Sequence, residues 1–207
     1  MTKLLNDWEN RTPSFLSKAF DGDSADIISF LTSNNLKRVM EVGFGNNRLL
    51  RKLIHQIPDI SYFGFDKTYT FVQRAREEFY RPNLRFGLMD IERLNDLTNA
   101  ANLIKPDVLI LRYIVEHLPK WRKVLRTVNE LPIPSILLSI YTSPVDKSTS
   151  TRLNGGSHTF TVNFISPDDL TNLLNSYSCE TKKYKRVNHT LRIFQRFANE
   201  NSLANSR

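Results

Sequence analysis

The stretch Val39-Met40-Glu41-Val42-Gly43-Phe44-Gly45-Asn46-Asn47-Arg48-Leu49-Leu50-Arg51-Lys52-Leu53 decides how this chain folds. An apolar run ends in an acid, breaks into Gly-x-Gly, and restarts with Leu49, Leu50 and Leu53 at helical spacing. The reading is strand, turn, helix. Gly43 lets the backbone turn sharply, and Gly45 lets it come within contact distance of a ligand; a side chain would obstruct both. Asp66 follows 25 positions after Glu41, at the end of the next apolar run. An acid at the tip of a second strand can bind the two hydroxyls of a ribose. The segment therefore reads as a nucleoside-binding βαβ unit.

Outward from this unit the alternation of strands and helices continues. A helix over residues 25–33, capped by Asp23 or Ser24, precedes a first strand over 37–42. The helix after the Gly loop runs to about Gln56, with Pro58 beyond its end. Further strands are expected at 61–65, 84–88, 108–111 and 135–140. The helices between them carry Phe71, Val72 and Ala75, then a weaker pattern over 92–101, then Trp121, Val124, Leu125 and Val128. Val108 to Leu111 is apolar without alternation, as a parallel strand covered on both faces should be. Residues 141–163 are rich in Ser, Thr and Asn around Gly155-Gly156, and read as a long loop over the ligand side. Ser166-Pro167-Asp168-Asp169 is a helix start, with a capping Ser, Pro in the first turn and acids against the helix dipole. Two strands near 179–187 and 189–197 close the chain.

Four of these segments, in order, resemble class I S-adenosylmethionine-dependent methyltransferases. Glu41, Gly43 and Gly45 match the family's acid-x-Gly-x-Gly-x-Gly motif, and Asn47 stands where the third glycine would be. A dinucleotide fingerprint would need its last glycine at Arg48, so a nicotinamide cofactor is disfavoured. The segments around Asp66, Asp90-Ile91 and Tyr113-Ile114-Val115-Glu116-His117-Leu118-Pro119 continue the match. The resemblance implies a Rossmann-like three-layer α/β/α sandwich with a mostly parallel seven-stranded sheet and an antiparallel last strand. It implies S-adenosylmethionine as cofactor. Glu41, Gly43, Gly45 and Asn47 would form its loop. Asp66, with Lys67 beside it, would take the ribose. Asp90 and Ile91 would take the adenine, and Arg112 and Tyr113 would flank the methionine moiety. Asp90 could instead cap the following turn, and Tyr113 could belong to the core. Asn47 tolerates unusual backbone angles and can cap a helix.

Length and composition bound the rest. A chain of 207 residues is most simply one domain, here 36–198, preceded by a helical segment over 1–35 and followed by a polar tail over 199–207. No apolar run approaches a membrane span and no signal peptide is evident, so no membrane partner is expected. A single cysteine, Cys179, excludes an internal disulfide and multi-cysteine zinc motifs, and a reducing cytoplasm fits best. No metal set has helpful spacing. The net charge of +8 permits a nucleic-acid partner without favouring one.

The transferred group needs an acceptor held in line, and a hydroxyl acceptor benefits from a base. His117 and His158 are the candidate bases; Tyr141 and Asn163 border the 141–163 segment. No Asn-Pro-Pro-Tyr-like segment follows the fourth strand, which counts against methylation of base amino groups. The leading expectation is a methyltransferase acting on a small molecule, at oxygen rather than nitrogen. An RNA or protein substrate, or a non-catalytic binding protein, remain the other readings. The sequence leaves the oligomeric state open.

Overall fold

In the structure, a computed structural model, residues 23–142, 145–155, 158–184 and 189–197 are described. The chain enters through α1 (Ser24–Ser33) and then alternates β1 (Arg38–Val42), α2 (Arg48–Gln56), β2 (Ser61–Asp66), α3 (Tyr69–Glu78), β3 (Leu84–Leu88), α4 (Leu94–Ile104) and β4 (Val108–Arg112). A single 3₁₀ turn (Val115–His117) leads to α5 (Trp121–Glu130) and β5 (Ser135–Ile140). A hairpin of β6 (Thr149–Gly155) and β7 (His158–Phe164) follows, then α6 (Pro167–Leu173), β8 (Tyr177–Tyr184) and β9 (His189–Arg196).

Seven strands form one sheet in the order β3-β2-β1-β4-β5-β9-β8. β1 to β5 pair in parallel, and β9 runs antiparallel to both β5 and β8. The expected Rossmann-like sandwich with an antiparallel last strand is what the chain adopts. Strand parity explains the three layers. Val39, Tyr62, Val108, Ile110 and Leu137 face α1, α2 and α3, where Ile27, Leu31, Leu49, Leu50, Leu53, Val72 and Ala75 are buried. Met40, Val42, Leu109, Leu111, Ile136 and Leu138 face α4, α5 and α6, meeting Leu97, Ala101, Val124, Leu125 and Leu170. Burying a leucine or isoleucine side chain contributes about 1.5–3 kcal/mol, so each face is a substantial core.

The order reverses between β1 and β4. β1 leads through α2 to β2 on one side, while β3 leads through α4 across to β4 on the other. Ligands in such sheets bind in the crevice outside the carboxyl ends of the strands at that switch point. The Gly loop after β1 and the segment after β4 flank it.

One expectation is corrected here. Residues 141–163 are not a loop throughout: β6 and β7 pair from Thr149↔Phe164 to Gly155↔His158 as a separate two-stranded sheet. Their Thr-rich composition suits a pleated strand as well as a loop, and Gly155 is the last residue of β6. Residues 1–22 and 198–207, which carry the expected early helix and frayed tail, lie outside the described residues.

Candidate functional site

The Gly loop is built on three left-handed residues. Gly43 has φ +79, its N–H donates to the Phe65 carbonyl at 2.7 Å, and a Cβ there would lie 2.4 Å from Ile114 Cγ2. This glycine lets the loop pack directly against the segment after β4. Gly45 has φ +56, and a Cβ there would meet nothing within 4 Å among the described residues. The space beside Gly45 is therefore open, as a ligand cradle requires. Asn47 has φ +61 and precedes α2, so its tolerance of a left-handed backbone is used. Its expected capping bond is absent: the side chain makes no cap to α2. Its Oδ1 is buried and accepts no hydrogen bond among the described residues.

Asp66 ties the second strand to this loop. Its Oδ2 accepts from Gly45 N at 3.0 Å and its Oδ1 from Thr68 N at 2.8 Å. Each oxygen keeps a further lone pair for a hydroxyl donor. Lys67 beside it is exposed. Asp90 Oδ1 accepts from Glu92 N at 3.1 Å, so this acid does shape the turn ahead of α4, while Ile91 is buried against it.

Glu41, Asp66, Arg112 and Ser139 all project to the α1 side of the sheet, because they share the parity of Val39, Tyr62, Ile110 and Leu137. Glu41 Oε2 accepts from the Tyr62 hydroxyl at 2.6 Å. Burial pushes the Glu41 carboxyl above its usual range, against the pull of the Arg112 charge and the Tyr62 hydrogen bond. Arg112 reaches the start of α1. Its Nη2 donates to Asp23 Oδ1 at 2.7 Å and to Ser24 Oγ at 3.3 Å, and its Nε to Asp23 Oδ2 at 3.3 Å. Ser139 Oγ also donates to Asp23. Asp23 therefore does not spend its carboxylate capping α1; a buried guanidinium claims it. Tyr113 takes a left-handed backbone, φ +54, directly after β4. Its ring lies 6.3 Å from the Tyr141 ring, and burial next to Asp23 pushes its hydroxyl far above the usual range.

A second polar group forms where the 3₁₀ turn meets the hairpin. The Tyr141 hydroxyl lies 2.8 Å from His117 Nε2, and His117 Nδ1 lies 3.4 Å from the Thr161 carbonyl. A carbonyl can only accept, so Nδ1 carries the proton and Nε2 is the basic nitrogen, receiving the Tyr141 hydroxyl. Burial lowers the His117 pKa, aided by the nearby Lys67 charge, and raises that of Tyr141. Asn163 is fully enclosed: its Nδ2 donates to the Val115 and Leu118 carbonyls at 3.1 and 2.8 Å, and its Oδ1 accepts from Ser150 Oγ at 2.7 Å. It fastens the hairpin to the 3₁₀ turn. Glu116 Oε1 accepts from Tyr141 N at 3.1 Å, its Oε2 has no partner among the described residues, and burial pushes its pKa up to about 7. His158 pairs by its backbone with Gly155 near the hairpin tip; its side chain lies outside what is described. Among the described residues no three His, Cys, Asp or Glu side chains gather as a metal site would require.

Sequence reasoning passed over Asp23 as a partner, together with Tyr62, Ser139 and Thr161. One signal was available. An arginine ending an otherwise apolar buried strand needs an acid, and only a long-range contact could supply it.

Residues 40–132 match the family model described as a methyltransferase domain. No curated protein matches the chain by sequence. Among solved structures the fold is similar to the N-terminal domain of EvdMO1 with SAH bound, at 14% identity and TM-score 0.65 over 85% of this chain and 82% of that one. It is also similar to SAM-bound CalS10, an amino pentose methyltransferase from Micromonospora echinaspora involved in calicheamicin biosynthesis (10% identity, TM-score 0.62, 93% of this chain and 95% of that one). Human N-acetylserotonin methyltransferase in complex with SAM matches at 14% identity and TM-score 0.63 over 87% of this chain, which spans 53% of that longer chain. The matched residues take in the Gly loop, Asp66, Asp90 and the segment after β4, and over them the chain resembles a methyltransferase domain, in a fold similar to that of Rossmann-like S-adenosylmethionine-dependent methyltransferases.

Proposed function

We propose that this protein binds S-adenosylmethionine in the crevice between the Gly loop and the segment after β4, and transfers its methyl group to the oxygen of a small-molecule acceptor. The observation that carries the reading is the open space beside Gly45, in a loop whose amide is held by Asp66. In this reading Asp66 takes the ribose hydroxyls, with Lys67 at the rim. Asp90 and Ile91 receive the adenine. Glu41 lies at the base of the loop, and Arg112 and Tyr113 form the wall beside the methionine moiety. When bound, the cofactor supplies an electrophilic sulfonium methyl group.

The chain's part in the chemistry is to hold the acceptor in line and to take its proton. His117 suits the second task because burial keeps it neutral and its Nε2 lone pair is free of a proton. The Tyr141 hydroxyl, bonded to that nitrogen, can accept the acceptor's proton as it passes its own to Nε2. His158 is the second candidate base, from the hairpin. A small acceptor agrees with the small-molecule names of two similar structures. A reducing cytoplasm is the proposed setting; among the described residues no helix is long and apolar enough to cross a membrane.

Two measurements test this. In thermal unfolding with S-adenosylmethionine, S-adenosylhomocysteine or NAD, each adenosyl ligand at 100 times its dissociation constant should stabilise the fold by about 2.7 kcal/mol, and NAD should not. The protein is then incubated with methyl-labelled cofactor and, separately, small-molecule extract, RNA and protein. Label in the small-molecule fraction is the expected result. Label in RNA with a steep salt dependence would replace the acceptor class. Binding without transfer to any fraction would make this a non-catalytic binding protein.

A further inference from the structure

Glu116 links the two members of the polar group beneath the hairpin. It directly precedes His117 on the 3₁₀ turn, and its Oε1 accepts from the main-chain N–H of Tyr141 at 3.1 Å. Tyr141 in turn brings its hydroxyl to 2.8 Å from His117 Nε2. Asn163 holds the same turn from the hairpin, donating to the carbonyls of Val115 and Leu118 on either flank of Glu116 and His117. Glu116 is 0% exposed, and its Oε2 has no partner among the described residues. Burial of this carboxyl is offset only by two backbone amides, its own and that of Tyr141, with no cation beside them.

A buried acid without a cation favours its uncharged form, and a protonated carboxyl still accepts through its carbonyl oxygen. The Tyr141 main chain is therefore held without a charge next to the phenol. We propose that Glu116 is the positioning residue of the His117–Tyr141 pair: its neutral carboxyl fixes Tyr141 so that the hydroxyl meets Nε2, and release of its proton weakens that bond. This rests on the proposed role of the pair in taking the acceptor's proton. The weakening follows from charge, because an ionised Glu116 makes Tyr141 hold its proton more tightly, and such a phenol is a poorer donor. The titratable groups around Glu116 are His117 on its own turn, Tyr141 after β5 and Tyr113 after β4. Arg112 is taken by Asp23, Arg122, Lys123 and Arg126 of α5 are exposed, and β7 contributes Thr161 and Asn163, which do not titrate.

The test is nuclear magnetic resonance of the His117 ring nitrogens, which needs neither cofactor nor acceptor; the signals are assigned by their loss in His117→Gln. Tyr141→Phe removes the hydroxyl and defines the Nε2 signal without its donor. Glu116→Gln keeps an oxygen for the Tyr141 N–H, whereas Glu116→Leu keeps the bulk and removes the acceptor; thermal unfolding of both is the control. The proposal predicts that Glu116→Gln gives the wild-type signal and that Glu116→Leu, though folded, gives that of Tyr141→Phe. As pH rises through about 7, where burial places the Glu116 titration, the wild-type Nε2 signal should move toward that of Tyr141→Phe, while Glu116→Gln shows no such step. A wild-type signal in folded Glu116→Leu, its loss in Glu116→Gln, or the same pH step in wild type and Glu116→Gln would each overturn the proposal. If Glu116→Leu does not fold, the pH comparison decides alone. A wild type that matches Tyr141→Phe at every pH would instead refute the His117–Tyr141 bond, and with it both the proposed proton-accepting pair and this inference.

Discussion

Asp23 and Arg112, 89 positions apart in sequence, meet as a buried ion pair at 2.7 Å, with the guanidinium at the end of β4 and the carboxylate at the start of α1. This contact, completed by Ser139, closes the α1 layer over the ends of β4 and β5, immediately behind Tyr113. Removing one member of a buried pair costs about 3–5 kcal/mol, because the other charge is left without a partner. Asp23→Ala and Arg112→Ala should each lower stability by that amount in urea unfolding. The double variant Asp23→Leu/Arg112→Met should recover much of the loss. Single variants within 1 kcal/mol of the wild type would show that the pair is not what holds α1 in place.

Glu116 predicts the pH dependence of stability. Its folded pKa is raised from 4.5 to about 7 by burial. Between those values the folded state holds a proton that the unfolded state has released. Stability from this group is therefore complete below pH 4.5 and is lost as pH rises to about 7, by about 3 kcal/mol in all. His117, with its lowered pKa, acts in the opposite sense: the unfolded state protonates first, so stability falls as pH drops through its ordinary value. Comparing the wild type with Glu116→Gln across pH 4 to 8 removes the histidine contribution. The wild type should lose stability relative to the variant as pH rises; a constant difference would contradict this.

Asn163 fastens the hairpin, so Asn163→Ala should leave the Val115 and Leu118 carbonyls without their donor. The expected cost is about 1–3 kcal/mol per buried group left unsatisfied. Hydrogen exchange should quicken in residues 149–164 and in the 3₁₀ turn, while the amides of β1 and β4 remain protected. Unchanged exchange in the hairpin would mean that β6 and β7 are held by other contacts.

Gly43→Ala should be severe. It combines a left-handed backbone with a Cβ 2.4 Å from Ile114. A cost of about 2–5 kcal/mol is expected in chemical unfolding, from strain and overpacking together. A loss below 1 kcal/mol would show that the loop and the Ile114 segment can move apart at little cost.

The parts of this fold that were legible in the sequence are those set by local periodicity. Residues 84–88 and 135–140 were read as strands and are strands, and the helix after the Gly loop ends at Gln56 as its leucine spacing indicates. The β6–β7 hairpin was not legible, because Ser, Thr and Asn are shared by loops and by polar strands lying off the main sheet. The site divides the same way. The glycines and Asp66 announce themselves by order along the chain. The pairs Asp23–Arg112, Glu41–Tyr62 and His117–Tyr141 do not, since each depends on which strands become neighbours and which face a side chain takes. Arg112 illustrates the point: its place at the end of β4 was evident, but its direction was set by the parity of a fully buried strand.

The central claim is that the open face of Gly45 receives an adenosyl cofactor. The most direct measurement is calorimetric titration of S-adenosylhomocysteine into the wild type and into Gly45→Val, with thermal unfolding of both. A valine there meets no atom of the described residues at its Cβ but fills the cradle, so the variant should stay folded and lose binding that the wild type shows with one site per chain. A folded wild type that does not bind, or a Gly45→Val variant that binds equally well, would contradict the account.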